Sequence, residues 1–242
     1  MIHRVSAFII DYLLVLLAIQ IVATLAFAAT GGRVQSMGPL QITSCRWPPT
    51  QAISFPYGNI DVSTTGREIR QSVCTYGLPS MPHAHVLQVT ASQKIGRWTF
   101  KQTDRIALDI EGRAVWILWL GTFASPLLWI YRTLFESRSG QTLGKRWLGV
   151  RVSSQQHQLP SWEQSAVRNL WLLLPLLLAD VVMEGPMLLL PNLILLAPAY
   201  TWLMLATGVI CTIWFILAAV SIGRDKDPVY DRIAGTYVDR IT

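Results

Sequence analysis

The stretch VSAFIIDYLLVLLAIQIVATLAFAA, residues 5–29, decides the class of this protein. It is almost wholly apolar and carries a single acid, Asp11. At a rise of about 1.5 Å per residue, roughly 20 such residues in a helix cross a bilayer core that is about 30 Å thick. The stretch therefore predicts a first transmembrane helix over residues 1–29.

A cleaved signal peptide is the alternative interpretation of this N-terminal run. Residues 1–4 are a short basic start, and Ala-Phe-Ala at 26–28 looks like a cleavage site. However, the run is longer than the usual apolar region of about 7–15 residues, and a carboxylate inside that region is unfavourable. We expect the helix to be retained.

The composition of the whole chain supports a membrane protein. Of its 242 residues 52% are hydrophobic and only 14% are charged, whereas soluble domains carry about 25% charge. The net charge of +6 is compatible with nucleic acid or with anionic lipid as a partner. The cations flank apolar runs and form no separate basic domain, so we expect the lipid bilayer as partner and no nucleic acid.

Further apolar runs predict three more spans. One covers residues 114–131. The largely apolar stretch of 58 residues from 166 to 223, which Asp180 and the sequence EGP at 184–186 interrupt, is too long for one crossing. We divide this stretch into spans at 166–182 and 199–222, with 187–197 re-entrant, interfacial or part of a kinked helix. The prediction is an all-α membrane protein with about four transmembrane helices, of which helices 2–4 lie within residues 113–223.

Residues 30–112 are polar and rich in Gly, Pro, Ser and Thr, so they cannot span a membrane. Alternation such as HVLQVT at 85–90 predicts short strands, and hence a small β-rich extracytoplasmic insertion. Cys45 and Cys74 lie in this loop and form a disulfide if the compartment is oxidising; the alternative is two free thiols.

The distribution of Lys and Arg predicts the orientation. With the N-terminus inside, the inner segments hold 11 cations over roughly 60 residues, and the long outer loop holds nine over about 80. We therefore expect both termini in the cytosol, with a cytosolic basic loop at 133–165 and a cytosolic tail at 224–242.

Arg4 and Asp11 are seven residues apart, so they lie on one face of the first helix, about two turns from each other. A carboxylate within a span needs a cation, hydrogen bonds or a water-filled cavity. Asp11 is therefore either a protonatable or cation-binding site or a structural polar contact between helices.

The inner loop contains GQTLGKRWLGVRV at residues 140–152. It is not a phosphate-binding P-loop, because Arg146 follows Lys145 where Ser or Thr is required. Basic residues beside a tryptophan suit a turn at the level of the lipid headgroups. We expect the headgroup contacts to come from Lys145, Arg146, Trp147 and Arg151.

The tail contains DPVYDRIAGTYV at residues 227–238, where Asp-Pro signals a turn just past the last span. On the predicted topology, Asp231 lies on the same side of the membrane as Arg4, Lys145 and Arg168. It could pair with any of the three.

These three motifs together resemble the RDD family of membrane proteins, which is named for one Arg and two Asp. The matching residues are Arg4 and Asp11 in RVSAFIID, and Asp231 in the tail. The inner-loop motif and Arg168 also look like the family pattern. The resemblance covers residues 1–30 and 112–242, and the departure is the loop of about 80 residues between the first two helices.

The resemblance implies more about fold than about function, and it places the chain as a multi-pass protein of the bacterial cytoplasmic (inner) membrane. Transport, including cation/proton exchange, has been proposed for members of the family, and other members look like partners of larger membrane assemblies. We expect a non-enzymatic component or scaffold that binds other membrane proteins, or a second copy, through its extracytoplasmic loop.

The alternative is a transporter, such as an antiporter of protons and monovalent cations. Asp11 would be its exchange site, with Arg4 tuning the pKa of Asp11 and Asp231 acting as a cytosolic gate. Four spans without an internal repeat leave little room for such a transporter unless the protein is an oligomer.

The sequence gives little support for an enzyme. His83 and His85 could contribute to a metal site, but no third ligand follows at a telling spacing. Cys211 lies within an apolar span and is expected to pack there. No nucleophile–base set is evident, so we expect no catalytic residues, no metal and no cofactor.

Overall fold

The computed structural model describes residues 2–36, 41–46, 67–78, 81–95, 97–189, 197–224 and 227–240. The chain forms two compact units, one from Met1–Val15 with Thr122–Thr242 and one from Leu16–Gly121. The helices are α1 (Ile2–Ala29), α2 (Ala124–Ser139), α3 (Leu143–Trp147), α4 (Trp162–Leu189), α5 (Ala197–Gly223) and α6 (Val229–Ala234). The strands are β1 (Val34–Gln35), β2 (Ile42–Arg46), β3 (Arg67–Leu78), β4 (Met81–Ile95), β5 (Trp98–Leu108), β6 (Leu118–Trp119), β7 (Val150–Ser154) and β8 (Thr236–Arg240).

Three helices have the length and composition of membrane spans: His3–Ala29 in α1, Trp162–Val182 in α4 and Trp202–Ser221 in α5. They correspond to the first, third and fourth predicted spans. The uncertain stretch 187–197 is partly resolved, because α4 continues to Leu189 and α5 begins at Ala197. Residues 190–196 lie outside the described part of the chain.

The predicted second span at 114–131 is wrong in its boundaries. Residues 118–119 form β6, Leu120–Phe123 is a 3-10 helix, and the α-helix then runs to Ser139. The start differs because β6 pairs in parallel with β1, which hydropathy cannot detect. The end differs because Arg132 and Glu136 are paired inside the protein, so their charges do not end the helix. Gly140 terminates the helix with a left-handed φ of 71°.

The unit formed by Leu16–Gly121 contains an antiparallel sheet in the order β2-β3-β4-β5. The alternating stretch 85–90 lies in β4, which at 15 residues is much longer than the short strands expected. One face of the sheet buries Cys74, Tyr76, Ala84 and Val86, with Trp119 packed against them. Leu87, Val89 and Leu108 form a second cluster.

Gln35 is a buried polar side chain that fastens this sheet to the end of α1. Its amide nitrogen donates to the carbonyl oxygens of Gly32 (2.8 Å) and Leu108 (2.7 Å). Its amide oxygen accepts from the backbone N–H of His85 at 3.2 Å. Because three backbone groups are satisfied by one side chain, the chain following α1 is tied to β4 and β5.

The disulfide expected between Cys45 and Cys74 is present. The two residues lie directly opposite each other on β2 and β3, and Cys74 is completely buried. The bond closes a loop with a sequence separation of 29 residues, which restricts the unfolded chain. Cys211 in α5 is the remaining cysteine of the three and is free.

Counting thiols tests this disulfide. Protein extracted from cells in denaturant without reductant should take up one maleimide–polyethylene glycol per chain, at Cys211, and three after reduction. A gel shift resolves the two states. The Cys211→Ala variant should take up none before reduction and two afterwards, and three labels on unreduced wild-type protein would contradict the bond.

Candidate functional site: a buried charge cluster

Six ionisable side chains from five helices meet inside the unit formed by Met1–Val15 and Thr122–Thr242. They are Asp11, Arg132, Glu136, Lys145, Arg168 and Asp231, and we call them the charge cluster. All are at most 4% exposed. Three acids and three bases give a formal charge of zero, which limits the large cost of removing charges from water.

Asp11 is held by four hydrogen-bond donors. One carboxylate oxygen accepts from Tyr131 Oη at 3.2 Å and from the backbone N–H of Gly144 at 2.9 Å. The other accepts from Arg132 Nη1 at 3.1 Å and from Thr142 Oγ1 at 2.6 Å. Both oxygens are thus occupied, and a guanidinium compensates the charge.

The inner-loop motif provides two of the four hydrogen-bond donors to Asp11, namely Thr142 and Gly144. Thr142 caps the N-terminus of α3 by accepting from the backbone N–H of Lys145, while its hydroxyl donates to Asp11. Gly144 brings its N–H to the carboxylate because it has no side chain. A Cβ there would lie 2.4 Å from the carbonyl oxygen of Ala7 and 2.9 Å from Asp11 Oδ1, so only glycine fits.

Glu136 occupies the centre of the charge cluster. Its Oε1 accepts from Arg132 Nη2 at 3.2 Å and from Lys145 Nζ at 2.5 Å. Its Oε2 accepts from Arg168 Nη1 at 2.7 Å and from Asn169 Nδ2 at 3.1 Å. One carboxylate therefore connects α2, α3 and α4.

Asp231 lies in the first turn of α6 and completes the charge cluster. Its Oδ1 accepts from Arg168 Nε at 2.5 Å, so Arg168 bridges Glu136 and Asp231. The guanidinium of Arg168 also lies over the ring of Tyr230, 5.7 Å from its centroid. Of the three partners that the sequence left open for Asp231, the structure selects Arg168.

Arg4 does not compensate Asp11, contrary to the role given to it in the antiporter hypothesis. It is half-buried, and its Nη2 donates to the backbone carbonyl of Val238 at 2.8 Å. The cation beside Asp11 is Arg132, from α2. The shared helix face of Arg4 and Asp11 therefore did not predict the ion partner of Asp11, because the cation nearest to this carboxylate comes from α2.

Arg132 and Glu136 were missed by the sequence analysis, which placed them at and just beyond the end of a span. The available signal was their i,i+4 spacing, which puts a base and an acid on one helix face. Asn169 was also missed; it accepts from Arg132 Nε at 3.0 Å. Ion pairs on an exposed helix face show the same spacing, so the sequence could not mark this one as buried.

The four residues expected at lipid headgroups divide into two groups. Lys145 is 4% exposed and belongs to the charge cluster, so its predicted headgroup contact is wrong. Arg146, Trp147 and Arg151 are exposed, Trp147 to 71%. Their contact with lipid stays a prediction.

His83 and His85 do not meet further metal ligands. Among the described residues, no group of three His, Cys, Asp or Glu side chains could hold a metal ion. His83 Nε2 lies 3.2 Å from Gln41 Oε1, and the His85 ring contacts Phe27 edge-on at 5.1 Å. Burial lowers the pKa of both imidazoles, which favours their neutral forms.

Replacing Arg132 tests the charge cluster. Arg132→Met leaves Asp11 without a cation and deprives Glu136 of one, so we expect a loss of about 3–5 kcal/mol in unfolding free energy. Denaturant unfolding in detergent measures it. Arg138→Met, on the exposed face of the same helix, is the matched control and should change stability by less than about 0.5 kcal/mol. Equal stabilities of the two variants would contradict the assignment.

The comparison with known proteins agrees with the family resemblance that the sequence motifs indicated. The model of the RDD family matches residues 1–235, which include all six members of the charge cluster and the β-sheet. No curated protein and no solved structure gave a significant match. Because the match extends over nearly the whole sequence, the chain belongs to the RDD family.

Proposed function

We propose that this RDD-family protein is a non-enzymatic component of a membrane protein assembly and binds partner proteins through the sheet β2–β5. The observation that carries the proposal is the saturation of Asp11 by four donors. An ion could reach this carboxylate only by breaking those bonds. In this proposal the charge cluster holds the helices in place, and the sheet β2–β5 recognises the partner.

The proposed arrangement has four crossings of the bacterial cytoplasmic membrane, with both termini in the cytosol. Arg4, at the start of α1, donates to Val238 in β8, which supports placing both ends of the chain on one side of the bilayer. That requires an even number of crossings, whereas α1, α4 and α5 supply three.

The fourth crossing is α2 together with the 3-10 turn before it. Its 16 helical residues rise about 24 Å, and the four preceding residues add about 8 Å, close to a core of about 30 Å. Ser125, at its start, hydrogen-bonds with Asp180, which lies about 27 Å along α4 from Trp162. The start of α2 therefore lies near the far end of α4.

The proposed binding surface is the end of the hairpin β4–β5. Lys94 and Arg97 lie on either side of the turn, and both are exposed. We call these residues the hairpin cations. They favour an acidic partner surface, because complementary charge steers association and selects partners. The disulfide is compatible with an oxidising, extracytoplasmic compartment.

Cation/proton exchange is the second candidate function, and one observation favours it. Asp231 Oδ2 is buried and has no hydrogen-bond partner among the described residues. An acceptor of this kind is expensive unless it binds a proton or a cation. Exchange would then take place at Asp231 rather than at Asp11.

Charge reversal tests the partner-binding proposal. In mild detergent, the wild-type protein should migrate in native gels as a complex larger than the single chain, with a chemically cross-linked partner. Lys94→Glu with Arg97→Glu should remove at least about nine-tenths of that complex, because each reversal opposes an acidic partner. The matched control, Arg138→Glu with Arg151→Glu, should retain it. An intact complex in the hairpin variant, or no complex in the wild type, would contradict the proposal.

Proton flux in proteoliposomes separates the two candidate functions. The partner-binding role predicts no proton movement driven by Na⁺ or K⁺ gradients. Exchange at Asp231 predicts flux that Asp231→Asn reduces at least about tenfold and that Lys94→Glu leaves unchanged. Flux abolished only by Asp11→Asn would restore Asp11 as the exchange site and remove the main argument for a structural role.

A further inference from the structure

Lys145 is the one member of the charge cluster whose charge is not needed to pair an acid. Without it, Asp11 keeps Arg132, Asp231 keeps Arg168, and Glu136 keeps both guanidinium groups. By contrast, removing Arg132 or Arg168 takes a cation from two carboxylates at once. Lys145 is therefore redundant for pairing, although it is buried like the other members.

The surroundings of Lys145 are poor for an ammonium group. Its Nζ shares Glu136 Oε1 with Arg132 Nη2, so two cations crowd one oxygen. An ammonium group has three donors, and among the described residues Glu136 is its hydrogen-bond acceptor. Arginine stays charged in proteins, whereas a buried lysine readily releases its proton. Crowding, burial and incomplete hydrogen bonding all act against the charged form.

We propose that Lys145 is a proton-binding site, at which the charge cluster alternates between a neutral form and a form with one negative charge. Proton release leaves a neutral amine that can still donate to Glu136, while the ion pair between α3 and α2 is lost. Because the buried ammonium is the less favourable form, proton binding weakens the packing of α3, which carries the exposed Arg146 and Trp147. This inference does not depend on partner binding by the sheet.

The charges around Lys145 determine the direction of its titration. The charged groups that act directly on Lys145 are Arg132 and Glu136 from α2 and Arg168 from α4. Behind them, Asp11 from α1 lies against Arg132 and Gly144 and accepts from Tyr131. Asp231 and Tyr230 from α6 lie against Arg168. Burial, followed by the positive charge of Arg168, lowers the pKa of Lys145 to about 7, although Glu136 opposes the change. Between about pH 7 and the usual lysine value of about 10.4, the unfolded chain binds more protons, so stability should rise with pH.

Lysine-selective NMR tests the proposal directly. The chain has four lysines, Lys94, Lys101, Lys145 and Lys226. Replacing the other three by arginine leaves Lys145 as the only lysine in the full-length protein, labelled with ¹³C at Cε. Its signal should titrate with a midpoint within about one pH unit of 7, whereas model lysines titrate near 10.4. A midpoint above pH 9 would overturn the proposal.

Thermal unfolding gives a second, independent test. Lys145→Met imitates the neutral form, so it should unfold at or above the wild-type temperature at pH 7, whereas Arg132→Met should unfold well below. The rise in unfolding temperature from pH 7 to 9 should be smaller in Lys145→Met than in wild type and unchanged in the control, Arg146→Met. The proposal is overturned if Lys145→Met is as unstable as Arg132→Met, or if it keeps the full wild-type pH dependence.

Discussion

Glu136 accepts four hydrogen bonds, and the arrangement of the helices depends on them. The donors come from α2 itself, from α3 and from α4, while Arg132 and Arg168 continue the chain of ion pairs to Asp11 in α1 and Asp231 in α6. Burying charges is tolerable only when they are paired together, because one missing partner leaves an isolated charge in a low dielectric. This requirement makes the contacts cooperative and fixes the five helices in one register.

Intramembrane carboxylates often indicate transport, but the hydrogen bonds of Asp11 and Asp180 are of the kind that structural carboxylates make. Asp11 is enclosed by four donors. Asp180 accepts hydrogen bonds from the backbone and side chain of Ser125, at the first turn of α2, while its Oδ2 is buried and has no hydrogen-bond partner among the described residues. That turn needs an outside acceptor, because Phe123 at the N-cap offers no side-chain hydrogen bond. Each carboxylate thus satisfies donors that would otherwise be left unpaired in an apolar environment.

The two units of the protein are stabilised by different physical means. The sheet unit depends on strand pairing, two small apolar clusters, the buried amide of Gln35 and the disulfide. The helical unit depends on buried ion pairs, because the hydrophobic effect does not drive helices to associate within lipid. A proton bound at Lys145 would therefore act within the helical unit, whereas reduction of the disulfide would act within the sheet unit.

The sequence by itself determined the membrane class, the three long helices and the two cysteines that pair. Apolar runs of about 20 residues and the spacing of cysteines are local properties of a chain. The tertiary structure alone decided the start of α2, because the pairing of β6 with β1 joins residues 84 positions apart. It also decided that Asp11 pairs with Arg132, 121 residues away, rather than with Arg4 on its own helix. Hydropathy and helical periodicity report on neighbours along the chain, whereas a buried charge is matched by whichever cation the folded helices bring to it.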